Sequence, residues 1–155
     1  MIFLQGNRDP HFLKTTFEHF FSRHATTMGV IDFIKDILRP GNGVDYPKPG
    51  DMVTVHYHGY LYDPTRSWNR GRRFDSSIKR GIPFTFQVGM GKVIKGWEVG
   101  ILGMSLGEKA LLTFGPHYGY GAKGAPPFIP GNSTLVFNVE LLAINGKTLQ
   151  SDDSE

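Results

Sequence analysis

The chain has 155 residues and no cysteine, is 39% hydrophobic, and carries 17 Lys and Arg against 14 Asp and Glu for a formal charge of +3. That length suits one domain with short extensions, large enough to bury a core of its own. The composition excludes disulfides and cysteine-ligated metal, is too weakly basic to point to nucleic acid, and holds no apolar run near the roughly eighteen residues a membrane span needs.

Residues 1–28 read as a loosely docked N-terminal extension, with Phe3, Phe12, Phe17, Phe20 and Phe21 set among histidines and basic residues. Thr15 to Arg23 could form a short helix. No continuous apolar stretch resembles the core of a secretory signal, and Met28 is a second candidate start. A patterned domain is expected over 29–146, followed by an acidic tail over 147–155 that contains Asp152, Asp153 and Glu155.

Val30 to Leu38 alternates like a strand and ends in the turn residues Arg39 to Gly43, with a second stop at Pro47 to Gly50 and little to bury between them. Asp51 to Tyr62 predicts a clean strand, with Val53, Val55, Tyr57, Gly59 and Leu61 on one face and Thr54, His56, His58 and Tyr60 on the other. Asp63 to Arg73 reads as an exposed loop with four arginines. Two further strands are expected at Arg73 to Ser77 and Pro83 to Val88. In Lys92 to Ile101 the apolar residues Val93, Ile94, Trp97 and Ile101 recur at the spacing of one helical face. Gly103 to Gly107 is a connection, Glu108 to Phe114 another strand, and Thr134 to Ile144 a last one with Leu135, Phe137, Val139 and Leu141 inward. Pro116 to Asn132 is a loop long enough to suggest function. The sum is an α+β domain: five or six antiparallel strands forming a curved sheet around one short amphipathic helix.

Several motif matches carry little. Gly103-Met104-Ser105-Leu106-Gly107 fits a nucleophile elbow, but helix and strand stand in the reverse order. Gly89-Met90-Gly91-Lys92 lacks the Lys and Ser or Thr of a phosphate loop. His56 and His58 share a strand face without a nearby carboxylate, so they are expected to face solvent and no metal is assigned. Asn132-Ser133-Thr134 is a glycosylation acceptor only in a secreted chain, and Arg66 to Arg73 reads as a solvated basic loop rather than a phosphate site. What remains is an excess of inward or loop aromatics with one carboxylate, Asp75, beside Phe74. Those residues form either an aromatic core or a concave apolar pocket with a polar rim.

Val55-His56-Tyr57, Gly59, Phe74-Asp75-Ser76-Ser77, Val93-Ile94-Lys95-Gly96-Trp97-Glu98, Tyr118-Gly119-Tyr120-Gly121 and Leu135-Val136-Phe137 follow one another in recognisable order and spacing. Over roughly residues 29–146 the chain resembles the FK506-binding-protein (FKBP) family of peptidyl-prolyl cis-trans isomerases, most of all its small single-domain cytosolic members. The resemblance implies an antiparallel half-barrel around a short helix and a pocket with Trp97 as floor. Its walls would be Tyr57, Phe74, Phe84, Val93, Ile94 and Phe137, overhung by Tyr120, Phe128 and Ile129. The catalytic set it implies is Tyr57, Phe74, Asp75, Trp97, Tyr120 and Phe137. The Ile94 N–H and the Tyr120 hydroxyl would hold carbonyls of the ligand, and Tyr57 would hold Asp75. It implies no cofactor and no metal. The expected ligands are proline-containing peptides and the macrolides tacrolimus and rapamycin. Calcineurin or the TOR kinase would be partners of the drug-bound protein, and the chain would be a cytoplasmic monomer. Departures from the small members are an insertion of several residues between Gly59 and Phe74, Ala125 where histidine is frequent, and Phe128 where an aliphatic residue is common. A different class of function, a non-catalytic module that binds a proline segment or a macrolide to regulate a partner, needs the same pocket. A purely structural aromatic core needs none.

Overall fold

An eleven-residue strand, β4 (Met52–Tyr62), organises the fold in the computed structural model, which describes residues 26–27 and 30–149. Its alternation follows the pleat: Val53, Val55, Tyr57 and Gly59 are buried on one face, while Thr54, His56, His58 and Tyr60 are partly exposed on the other. One edge of β4 pairs with β8 (Leu135–Ile144). The other edge carries two shorter strands in line, β5 (Arg70–Ser76) and β6 (Phe84–Gln87). β7 (Lys109–Phe114) pairs with β8, and β3 (Phe33–Arg39) with β7. The main sheet therefore runs β3-β7-β8-β4-β5, antiparallel throughout, and the short β9 (Lys147–Thr148) lies beside β8. Counting β9 and β6, this sheet has seven strands, against the five or six expected. β1 (Thr26–Thr27) and β2 (Val30–Ile31) make a separate two-stranded ladder. The phenylalanine-rich stretch, the helix expected over Thr15 to Arg23 and the acidic residues from Ser151 on lie outside the described residues.

Three boundaries differ from expectation, each for a local reason. The arginine loop ends at Asn69, because Arg70 to Arg73 extend β5 along β4. β5 then stops in an unanticipated helical turn, α1 (Ser77–Arg80): the Ser76 hydroxyl caps it by accepting from the Lys79 N–H at 3.0 Å, and Gly81 ends it at φ 72°. The main helix, α2 (Lys95–Leu102), starts three residues later than Lys92, with Ile94 still extended. Its own Glu98 holds the preceding loop, accepting backbone N–H groups of Gly89, Lys92 (3.1 Å) and Val93 (3.4 Å). That carboxylate is buried, and desolvation pushes its pKa up against the pull of those donors.

α2 lies in the hollow of the sheet with every residue from Gly96 to Ile101 buried. Gly96 and Gly100, one turn apart, let its backbone press against Phe114 and Leu112 of β7. The adjoining side of the helix delivers Trp97 to the inward side chains of β4, β6 and β8.

His56 and His58 are not bare on the outer face of β4: their Nδ1 atoms lie 2.9 Å and 2.8 Å from the hydroxyls of Ser77 and Ser76. Among the described residues no group of three or more His, Asp or Glu side chains could hold a metal. Burial, then Arg73, Lys109, Arg70 and His56, hold the His58 pKa below its ordinary 6.5. The unfolded chain thus takes up this proton more readily than the folded one, so acidification below 6.5 costs stability that is intact at higher pH. Urea unfolding at pH 8 and pH 5 checks this sign. The stability of His58→Gln relative to wild type is expected to rise at the lower pH.

Candidate active site

Trp97 is fully enclosed by four rings supplied by three strands. Tyr57 meets it edge-on at 4.8 Å between centroids, as do Phe137 at 5.4 Å and Phe84 at 6.1 Å, while Phe86 stands tilted at 5.7 Å. Edge-to-face geometry of this kind suits rings whose faces are electron-rich and whose edges are positive. Phe137 in turn meets Phe74 at 5.5 Å and Phe114 at 5.7 Å.

Phe74 reaches this group through a break in strand register. Gly59 faces Asp75 but Tyr60 faces Arg73, which leaves Phe74 as an extra residue in β5. A bulge of this kind frees consecutive residues from the alternation of faces, so Phe74 and Asp75 both serve the concave side. Gly59 opposite them leaves room for the rings: a Cβ there would stand 2.8 Å from both Phe137 Cε1 and Phe74 Cζ.

A polar corner adjoins the rings. The Tyr57 hydroxyl donates to Asp75 Oδ2 at 2.7 Å, while Arg80 donates to Asp75 Oδ1 and, at 2.9 Å, to the Tyr57 oxygen. Asp75 also accepts from the Ser76 N–H at 2.8 Å. Burial first, then Asp75, drive the Tyr57 phenol pKa far above its ordinary range, against the opposing pull of Arg80. Burial, with Tyr57 and Asp75, does the same to Tyr120. Both phenols are therefore donors at any working pH. Beneath this corner the Ser77 hydroxyl accepts from the Tyr57 N–H at 2.8 Å and fixes the strand to α1.

The long loop closes over the rings. Ala125 and Ile129 bridge it in both directions, Ala125 N–H to Ile129 O at 2.8 Å and Ile129 N–H to Ala125 O at 3.0 Å. At Gly124, φ 63°, a side chain would collide with the Ile129 carbonyl, so the narrow turn requires glycine. Ile129 is buried in the aromatic cluster, and Tyr120 and Ala125 pack on it. Phe128 instead points outward, half exposed. Val93 and Ile94 lie buried in the same cluster just before α2.

Every residue of the expected set except Phe128 therefore belongs to this cluster or to its polar corner. Sequence reasoning missed Arg80, Ser77, Phe86 and Glu98. The cap signal of Ser76 ahead of α1 could have found Arg80, because a turn starting there brings residue 80 back over residue 75. Chemically, the site offers a buried aromatic group, two phenol donors and a carboxylate already held by three donors, the Tyr57 hydroxyl, Arg80 and the Ser76 N–H.

The sequence profile of the FKBP-type peptidyl-prolyl cis-trans isomerases matches residues 43–142. The chain is 60% identical over 113 residues to "FK506-binding protein 1A" of Aspergillus fumigatus, which spans 73% of this chain and 95% of that protein. It is 54% identical over 113 residues to a "Peptidyl-prolyl cis-trans isomerase" of Schizosaccharomyces pombe, with the same coverage. To "FK506-binding protein 1" of Saccharomyces cerevisiae it is 53% identical over 110 residues, 71% of this chain and 90% of the relative. With a half-barrel around α2, an aromatic group centred on Trp97, and a family match over most of its length, the chain belongs to the FKBP-type peptidyl-prolyl cis-trans isomerases.

Proposed function

We propose that the concavity around Trp97 is where this isomerase turns the bond before proline, with Tyr57, Phe74, Asp75, Trp97, Tyr120 and Phe137 as its working residues. The convergence of four rings on Trp97 beside the tied Tyr57–Asp75–Arg80 corner carries the reading. Amide resonance opposes rotation with a barrier of roughly 18–20 kcal/mol. In the twisted transition state resonance is lost, the carbonyl carries less negative charge and the nitrogen becomes pyramidal. A dry aromatic wall solvates the planar, more polar amide poorly and accepts the twisted one, so it lowers the barrier by differential binding and needs no nucleophile. The Ile94 N–H and the Tyr120 hydroxyl hold neighbouring carbonyls, and Val93, Phe84, Phe128 and Ile129 complete the binding surface. Because Trp97 and Phe137 are fully enclosed and Ile129 nearly so, Tyr120 and Ile129 swing aside as the proline ring enters.

That two relatives are FK506-binding proteins supports tacrolimus (FK506) as a ligand of the same pocket, and rapamycin is proposed as a second macrolide ligand there. In this reading the chain works as a cytoplasmic monomer, and the drug-bound form presents a composite surface to calcineurin or the TOR kinase. No helix among the described residues is long and apolar enough to cross a membrane.

A protease-coupled isomerisation assay with and without rapamycin tests the reading. The expected result is turnover that rapamycin abolishes. No turnover with tight rapamycin binding identifies a binding module instead, and neither response means that the rings are only a core. A second readout uses Trp68→Phe, which removes the exposed tryptophan and leaves enclosed Trp97 as the emitter. Its emission is expected to change on adding rapamycin. Asp75→Ala is expected to lower kcat/KM less than Phe137→Ala, because the carboxylate orients Tyr57 whereas the ring forms the wall.

A further inference from the structure

The connection between β4 and β5 is built rather than slack. Asp63 N–H donates to Asn69 O at 2.9 Å, Arg66 N–H to Asp63 O at 3.1 Å and Asn69 N–H to Arg66 O at 2.9 Å. Asp63 Oδ1 takes the N–H and hydroxyl of Thr65 at 2.9 Å and 2.6 Å. Tyr62 N–H reaches Thr134 O at 3.0 Å, which anchors the arm to the far end of the long loop.

From the returning strand Arg72 donates from Nη2 to the Phe128 carbonyl at 2.9 Å, an exposed link between residues 56 apart in sequence. Both ends of this link border the rings. Phe74, two residues beyond Arg72, stands edge-on to Phe137, and Ile129, next to Phe128, is buried in the same cluster. This places the guanidinium next to residues that neighbour the proposed proline seat, within reach of a peptide's flanking residues. The surroundings favour an anion there. From Tyr60 to Pro83 the chain holds six basic residues and two acidic ones. Asp63 is engaged by Thr65 and Arg66, and Asp75 by Tyr57 and Arg80. A guanidinium has five N–H donors in a planar fork, so donation to one backbone carbonyl leaves it able to meet a carboxylate.

We infer that Arg72 is a specificity-determining residue of the isomerase: its cationic edge beside the proline seat selects substrates that carry Asp or Glu among the residues flanking the proline. The inference rests on the proposed pocket, and its test separates the two.

The test measures kcat/KM on peptide pairs that are identical except for Glu or Gln at one of the two positions before or after the proline. At low ionic strength wild-type protein is expected to favour the Glu peptide by about two- to fivefold at one or more positions, the effect lying in KM, which is the scale of an exposed ion pair. Added salt shrinks that ratio, since the pair is open to water. The ratio falls to one in Arg72→Gln and is kept in Arg72→Lys. Both peptides of a pair are read on the same protein, so a general loss of activity cancels. A ratio of one at every position in wild type overturns the inference, and so does a Glu preference that survives Arg72→Gln. Failure of wild type to turn over any Gln peptide overturns the pocket reading itself, a different result from active protein that ignores charge.

Discussion

Phe137→Ala is expected to reduce kcat/KM on a proline peptide at least roughly tenfold, the loss that follows when about 1.4 kcal/mol of transition-state preference disappears. Phe137 is the residue through which the pocket holds together. It meets Trp97 at 5.4 Å, Phe74 at 5.5 Å, Phe114 at 5.7 Å and Tyr57 at 6.3 Å, and it is fully buried. Removing the ring leaves Trp97 without one wall and lets water reach the amide, which then solvates the planar ground state and erodes the differential binding. The same deletion costs about 3–5 kcal/mol of stability through lost burial and the cavity left behind. That is a large share of the roughly 5–15 kcal/mol available to a domain. Activity is therefore read well below the variant's Tm and beside a far-UV circular dichroism spectrum. Phe137→Leu keeps most of the apolar volume and should retain more stability while still losing turnover. Full activity in folded Phe137→Ala would sink the assignment of the pocket. Trp97→Ala is expected to behave in the same way.

Gly96→Ala sets two effects of opposite sign against each other. On helix propensity alone, alanine in the first turn of α2 should stabilise by at most about 1 kcal/mol, the figure for a helix interior. A Cβ at residue 96, however, would lie 2.4 Å from Phe114 Cε1 and Cζ and 2.5 Å from Cδ1. Phe114 cannot retreat, because it is fully buried between Phe137 at 5.7 Å and Phe33 at 6.1 Å, stacked on both. Overpacking of that kind costs about 1–3 kcal/mol and sometimes more, so the clash prevails. At about 2–4 °C per kcal/mol for a chain of this size, Tm is expected to fall by several degrees, which scanning calorimetry measures. A higher Tm would mean that α2 is free to lift from β7. The strain also passes through Phe114 to Phe137, so turnover should fall together with stability.

Sequence alone determined a good part of this protein. The period-two alternation of Val53, Val55 and Tyr57, and of Leu135, Phe137, Val139 and Leu141, is a local property of extended chain, and these residues are all inward and buried. The apolar spacing around Trp97 marked the one sizeable helix among the described residues, and the ordered motifs assembled the aromatic set. Tertiary structure decided what no local period encodes. One extra residue in β5 turns both Phe74 and Asp75 to the pocket, where strict alternation would have sent one of them outward. The turn at α1, which interrupts the edge of the sheet, carries Arg80 back to Asp75. Glu98 takes up the loop N–H groups of Gly89, Lys92 and Val93, and α2 begins only at Lys95. Arg72 and Phe128 meet across 56 residues because the β4–β5 arm and the long loop are anchored over the same rings. A strand or helix period depends on neighbours along the chain, whereas each of these meetings depends on register, turn and packing between segments far apart in sequence.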